Sequence, residues 1–324
     1  MMGPRSRRLS AGKTSGLRAG SHPTRRPRLV VISLVVAAAA ITACGGDVPS
    51  SPLPVGTVTG APATSTAASA ADDEQAVRNA DRLLDEAIES RAVASLDALL
   101  DAEFTWIATS GILRPRVSIL AAPPIPAIAV GGDVAAAEVR RLGSHIVVAQ
   151  RHADKTHAMR VWVRRPAGWR VLHITEVVEG ERVVYGGTMI GAADCMNPCK
   201  VVPFVSSNPI EKSVIEAWQA QQSGPEMWAR HIPDDNVART SNGTYTKADR
   251  IAVQLQQVQA GAIVAPSPLI SAHIWEFGDS ALMIALQPRA VGKPFWGSRV
   301  FELRSGTWVM AESYQTTIRD MPPF

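Results

Sequence analysis

Apolar positions recur along this chain with two periods. Val77, Ala80, Leu83, Leu84, Ala87 and Ile88 fall at the spacing of one helix face, and Asp72 with Gln75 offers a capping arrangement at its start. A second helix start is signed by Asn208-Pro209-Ile210-Glu211, with an N-cap, a proline at the first helical position and an acid at the third. The same series follows each opening helix. It comprises a short second helix (92–100; 225–231), a strand (104–109; 236–240) and a third short helix, started by Pro115 in one case and capped by Thr246 with Asp249 in the other. A proline-containing crossover comes next (Pro123, Pro124, Pro126; Pro266, Pro268). The first series then closes in stretches that read as strands, 136–141, 145–151, 159–165 and 169–178. Helices followed by a run of strands predict an α+β class, with helices packed on one face of an antiparallel sheet.

The recurrence is an internal repeat. Residues 160–173 align without a gap on 299–312, so that Arg160 matches Arg299 and Trp169 matches Trp308, 139 positions apart in each case. Leu142-Gly143-Ser144 resembles Phe277-Gly278-Asp279, and Thr109-Ser110-Gly111 resembles Ser241-Asn242-Gly243. A unit of about 110 residues is too long for a solenoid repeat and suits a domain.

Ahead of the repeats, residues 29–43 are apolar except for Ser33 and Thr42. Fifteen residues make a helix of roughly 22 Å, short of a bilayer core of roughly 30 Å. Basic residues precede the stretch and small ones close it, as in a signal peptide. The closing tetrad Ile41-Thr42-Ala43-Cys44 resembles the lipobox of bacterial lipoproteins. That resemblance implies cleavage before Cys44 and lipidation of its sulfur, which would anchor the chain in a membrane on the extracytoplasmic side. In a Gram-negative host, Gly45 in place of an Asp favours the outer membrane. Residues 44–71 are then a disordered tether of Gly, Pro, Ser, Thr and Ala with little charge, able to span on the order of 30 Å.

The signal segment also changes the reading of charge. The chain has 33 Lys+Arg and 29 Asp+Glu, but residues 1–43 hold eight of the basic residues and no acidic one. The body is therefore mildly acidic, and no nucleic-acid partner is expected. The expected organisation is a signal peptide (1–43), the tether (44–71), a first domain (72–187), a linker (188–208) and a second domain (209–320). The linker carries Cys195 and Cys199, which outside the cytoplasm are expected to form a disulfide across a very short loop.

The order of elements, with a final hairpin running from Arg160 through Trp169 and again from Arg299 through Trp308, resembles nuclear transport factor 2-like domains. The resemblance covers roughly 72–187 and 209–320. This superfamily includes ketosteroid isomerase, scytalone dehydratase, polyketide cyclases and the association domain of calmodulin-dependent kinase. It implies two tandem cone-shaped domains, each a curved sheet wrapped on a long helix with a pocket at its wide end, and the two could pair with each other or form dimers.

Ser305-Gly306 reads as a two-residue hairpin turn. Regular pairing from it sets Leu303 opposite Trp308, Phe301 opposite Met310 and Arg299 opposite Glu312, all on one face. The same register sets Arg160 opposite His173. An arginine and a histidine lie in the pocket of the kinase association domain, and the resemblance makes Arg160, His173, Arg299 and Glu312 candidate ligand-binding groups. Glu312 would neutralise Arg299 while a neutral His173 would leave Arg160 charged. A small carboxylate is therefore expected in the first domain.

The sequence holds no nucleophile elbow, phosphate loop, dinucleotide fingerprint or His-x-x-x-His metal pattern, and no cofactor or metal is expected. The isomerase's acid has no counterpart at Ala108-Thr109-Ser110-Gly111 or at Thr240-Ser241-Asn242-Gly243. The expected function is a lipid-anchored, extracytoplasmic, non-catalytic binding or interaction protein. The alternative is an isomerase, dehydratase or cyclase acting on a small apolar substrate. A third arrangement has the first copy as a structural partner and only the second copy binding.

Overall fold

A computed structural model describes residues 65–128, 137–180, 208–261, 269–287 and 294–319. The signal peptide, Cys44 and most of the tether lie outside the described residues, as do Cys195 and Cys199.

In the first copy, α1 (Ser65–Glu89) and α2 (Val93–Leu99) precede β1 (Leu100–Ile107), β2 (Leu113–Pro115) and α3 (Arg116–Ala121). Four antiparallel strands follow: β3 (Glu138–Leu142), β4 (Ile146–Ala153), β5 (Thr156–Arg165) and β6 (Gly168–Val178). The second copy repeats the order with α4 (Pro209–Gln219), a 3-10 turn at Ala220–Ser223, α5 (Pro225–Arg230), β7 (Val237–Thr240), β8 (Gly243–Thr246) and α6 (Lys247–Gln259). It ends in β9 (Ser271–Glu276), β10 (Ser280–Gln287), β11 (Phe295–Arg304) and β12 (Thr307–Thr317). The sheets have one topology, β2-β1-β6-β5-β4-β3 and β8-β7-β12-β11-β10-β9. Among the described residues, the β1–β6 and β7–β12 pairs are parallel and the other strand pairs antiparallel. The class is α+β, as the periodicity predicts.

Local signals act as expected in the second copy. Asn208 Oδ1 accepts from the Ile210 amide at 2.9 Å, and Thr246 with Asp249 forms a reciprocal capping box. At the front of the first copy the structure corrects the reading. Helix α1 begins at Ser65, so Asp72 is interior and caps nothing, and residues 65–71 belong to the helix, not to a disordered tether. The segment is rich in alanine, the best helix former, and extends a helix already nucleated by packing.

Each opening helix buries its stripe on one face of its own sheet. Val77, Leu84 and Ile88 of α1 pack with Phe104, Trp106, Trp162 and Val171. Val214, Ile215 and Trp218 of α4 pack with Met283, Phe301 and Met310. The opposite faces of the two sheets pack against each other. Ile146, Val148, Met159, Val161 and Leu172 of one meet Leu282, Ile284, Val300 and Tyr314 of the other. Both sheets thus belong to one compact unit, Gly60–Phe324. Polar groups pin this seam. Ser144 donates from its amide (2.8 Å) and hydroxyl (2.5 Å) to Asp279, and Gly143, at φ +68, comes so close to Asp279 that a Cβ there would collide with it.

The terminal hairpins carry the feature that decides the site. Ser305 and Gly306 do form the turn, both at positive φ, and Leu303 pairs with Trp308 and Phe301 with Met310. The next pair is Val300 with Glu312, so Ala311 is an extra residue. The first copy has the same bulge at Leu172, between the pairs Trp162–Val171 and Val161–His173. The two bulges sit 139 positions apart, as the repeat requires.

Candidate functional site

A bulge sends the side chains beyond it to the other face of the strand. The expected pairs Arg160–His173 and Arg299–Glu312 are therefore corrected. Arg160 lies opposite Ile174 and Arg299 opposite Ser313, facing the helices. His173 and Glu312 instead face the seam between the sheets. The four candidate residues form two separate sets.

In the first copy the concave face is closed by its own ions. Arg160 Nη1 donates to Asp81 at 3.0 Å and its Nη2 to Asp85 at 2.6 Å. Arg151 reaches Asp81 at 2.6 Å and also pairs with Asp85. Burial acts to lower the pKa of Arg160, but the two carboxylates outweigh it and hold the guanidinium charged. Burial likewise disfavours the Asp81 anion, and Arg160 and Arg151 bring its pKa down. Glu176 stands further along the same face, 3% exposed, accepting from the Ala127 amide at 2.8 Å. The expectation of an uncompensated charge on Arg160 is overturned. Asp81 and Asp85 supply the missing acids from α1, one turn apart on its buried face.

The second copy differs at each of these places. The buried positions of α4 are Val214, Ile215, Ala217 and Trp218, with no acid among them. Arg299 is 3% exposed, its Nη2 donates to Gln287 Oε1 at 2.6 Å, and its Nη1 has no hydrogen-bond partner. The guanidinium lies so close over Gly297 that a Cβ there would collide with it, and it sits 5.7 Å from the Trp218 ring centre. The charge acting on it is another cation. Arg250 of α6 donates to Asn236 Oδ1 at 3.1 Å and stacks over Trp228 at 4.6 Å. Burial first, and Arg250 second, lower the pKa of Arg299 to about 9, while burial lowers that of Arg250 to about 10. Ser313, opposite Arg299 in the sheet, is fully buried with its hydroxyl unpartnered.

On the seam, His173 is fully buried between Thr105 Oγ1 and Ser298 Oγ, each 2.9 Å from a ring nitrogen, and burial lowers its pKa to about 3. Glu312 Oε1 accepts from Arg140 Nη2 at 2.5 Å and from Gln150 Nε2 at 2.7 Å, both of the first copy. Its Oε2 has no partner, and burial raises its pKa to about 7 against the opposing pull of Arg140 and Gln150. These two residues join the copies. Among the described residues, no group of three or more His, Cys, Asp or Glu is placed to hold a metal ion.

No protein-family model matches the chain, and no curated protein matches it. Solved structures do. An NTF2-like protein from Cytophaga hutchinsonii is 21% identical, with 32% of this chain aligned to 96% of that one at a TM-score of 0.28. An NTF2-like protein from Pseudomonas putida is 17% identical over 35% of this chain and 94% of its own, again at 0.28. A domain with a cystatin-like fold from Nostoc punctiforme is 16% identical over 34% and 78%, also at 0.28.

Proposed function

We propose that this protein is a lipid-anchored, extracytoplasmic and non-catalytic binding module, in which the first copy is a structural partner and the second copy receives a small ligand on its concave face. The lipobox-like tetrad ending at Cys44 supports the anchor. The observation that carries the binding reading is the divergence of one row of the sheet. Across the first copy this row reads Arg151, Ala158, Glu176; across the second it reads Ala285, Gly297, Gln315. Where the first copy sets the charged Arg151 and Glu176, the second sets Ala285 and the neutral Gln315, and the Arg299 guanidinium lies over Gly297. Arg151 and Arg160 of the first copy and Arg299 and Ser313 of the second all carry a polar atom without a partner, but only the arginines of the first copy are balanced by acids of their opening helix.

The test is native mass spectrometry of the protein purified from its own envelope. A diacylglyceryl mass on Cys44 and a non-covalent small-molecule adduct, lost from a variant whose concave face is filled by Ala285→Leu, are expected. A free Cys44 thiol would remove the anchor, and the absence of any adduct would remove the ligand. Chemical alteration of the adduct on incubation would move the protein to the enzyme class.

A further inference from the structure

We propose that the tip of the β4–β5 hairpin is a metal site, in which His152 Nδ1 and His157 Nδ1 bind a divalent transition-metal ion, copper(II) by preference, and water fills its remaining positions. The site stands on the side of the sheet that meets the second copy and is independent of any ligand on a concave face.

His152 and His157 face each other across the hairpin, next to the Ala153–Thr156 pair that closes its turn. Alternation puts both side chains on the side of Val148, Met159 and Val161, which pack toward the second copy. The rings lie within 15° of parallel, with their centres 4.6 Å apart and their Nδ1 atoms 2.9 Å apart. His157 Nε2 donates to Glu179 Oε1 at 2.8 Å, since a carboxylate only accepts. In a neutral His157 this leaves Nδ1 bare and aimed at its neighbour. His152 meets it with a proton on its own Nδ1. Moving that proton to Nε2 keeps His152 neutral and presents a second lone pair at the same point, with no net release of protons. A carboxylate on the far nitrogen is also the arrangement that orients a metal-binding imidazole and raises its basicity. Glu179 is itself fixed, by Thr244 Oγ1 of the second copy at 2.8 Å and by its own amide, which donates to the Lys155 carbonyl at 2.7 Å. The pair escapes a search for His-x-x-x-His spacing because a hairpin, not a helix, brings it together.

The spacing selects the metal. An ion at the roughly 2.1 Å usual for an imidazole ligand from both Nδ1 atoms subtends an angle of roughly 90° between them. That angle suits a tetragonal shell and falls short of what tetrahedral zinc requires. Among the described residues, no third His, Cys, Asp or Glu is placed to close the shell. His152 is exposed while His157 is buried, so the open positions face solvent. Two neutral imidazoles completed by water match copper(II) first and nickel(II) next, and offer nothing to magnesium, which requires oxygen ligands.

The experiment is titration of the chelator-treated, detergent-solubilised full chain with copper(II), nickel(II) and magnesium chlorides, followed by calorimetry and by the electron paramagnetic resonance of bound copper. One copper(II) per chain is expected at this site, held more tightly than nickel(II), with a tetragonal spectrum split by two imidazole nitrogens. Magnesium should not bind. His152→Ala, at an exposed position that leaves the fold intact, should weaken copper binding at least tenfold and reduce the splitting to that of one nitrogen. Glu179→Ala should weaken it about tenfold through the orientation of His157, and Glu179→Gln, which keeps an acceptor for Nε2, should weaken it less. Absence of saturable copper binding would overturn the assignment. So would a copper affinity and spectrum unchanged in His152→Ala, which would place the ion on other groups. Copper binding that is lost in His152→Ala but equal in Glu179→Ala and the parent chain would overturn the positioning role of Glu179.

Discussion

His173 and Glu312 stand at the same place in the two copies, one residue past equivalent bulges, and both are buried in the seam between the sheets. One is a neutral imidazole bridging two hydroxyls. The other is a carboxyl group held by an arginine and an amide of the opposite copy. Their pKa values are displaced in opposite directions by the same cause, removal from water.

Stability should therefore depend on pH from two sides. Glu312 takes up its proton in the folded state near pH 7 but in the unfolded chain only near 4.5, so stability rises as pH falls from above 7 toward 4.5. His173 stays neutral in the fold down to about 3 while the unfolded imidazole is protonated below about 6.5, so stability falls as pH drops below 6.5. Urea titrations from pH 8 to 5 should show stability rising down to about pH 6.5 and then levelling, because below it the two dependences oppose each other with equal slope. Glu312→Gln should lose the rise above pH 6.5, worth about 1 kcal/mol, and should leave stability falling below pH 6.5 under His173 alone. A Glu312→Gln profile parallel to the wild type above pH 6.5 would place the titration elsewhere.

The two equivalent arginines should respond oppositely to truncation. Arg160→Met leaves Asp81 and Asp85 buried with only Arg151, and should cost about 3–5 kcal/mol. Arg299→Met removes a buried cation that no acid balances, and should be neutral or stabilising in the absence of ligand. Melting curves of the two variants side by side decide this, and equal losses would contradict it.

The bulge of the second copy should depend on Asn236, whose side-chain amide donates to the carbonyls of Met310 (2.7 Å) and Ala311 (3.0 Å). Asn236→Ala should cost about 1–3 kcal/mol in a urea titration, because these carbonyls lose their donor and Arg250 loses its acceptor.

The pair Cys195 and Cys199 lies outside the described residues. Oxidation is expected, with thiol titration of the folded chain finding neither sulfhydryl free. The loop is so short that replacing both by serine should cost well under the roughly 3 kcal/mol of a 15-residue loop.

Much of the architecture is legible along the chain because it is local. Thr246 with Asp249 caps a helix wherever the chain continues helically, and Ser305-Gly306 turns a hairpin because both residues accept positive φ. The offset between Arg160 and Arg299 is visible in the letters alone, and with it the doubling of the fold. Asp81 and Asp85 could also have been noticed, since they interrupt the apolar face of α1 one turn apart, a costly arrangement unless cations meet them.

What the tertiary structure decided is which face each strand residue takes. Regular alternation from the turn puts Arg299 and Glu312 together, and a single unpaired residue, Ala311, separates them onto opposite faces. A bulge is set by how the strand must bend over its helix and how Asn236 binds its carbonyls, and both depend on contacts distant in sequence. The same holds for the partners. Arg160 finds its acids 79 and 75 positions away, and Glu312 its arginine 172 away. Sequence spacing alone carries no information about such pairs, so the balance of charge in each concave face came from packing.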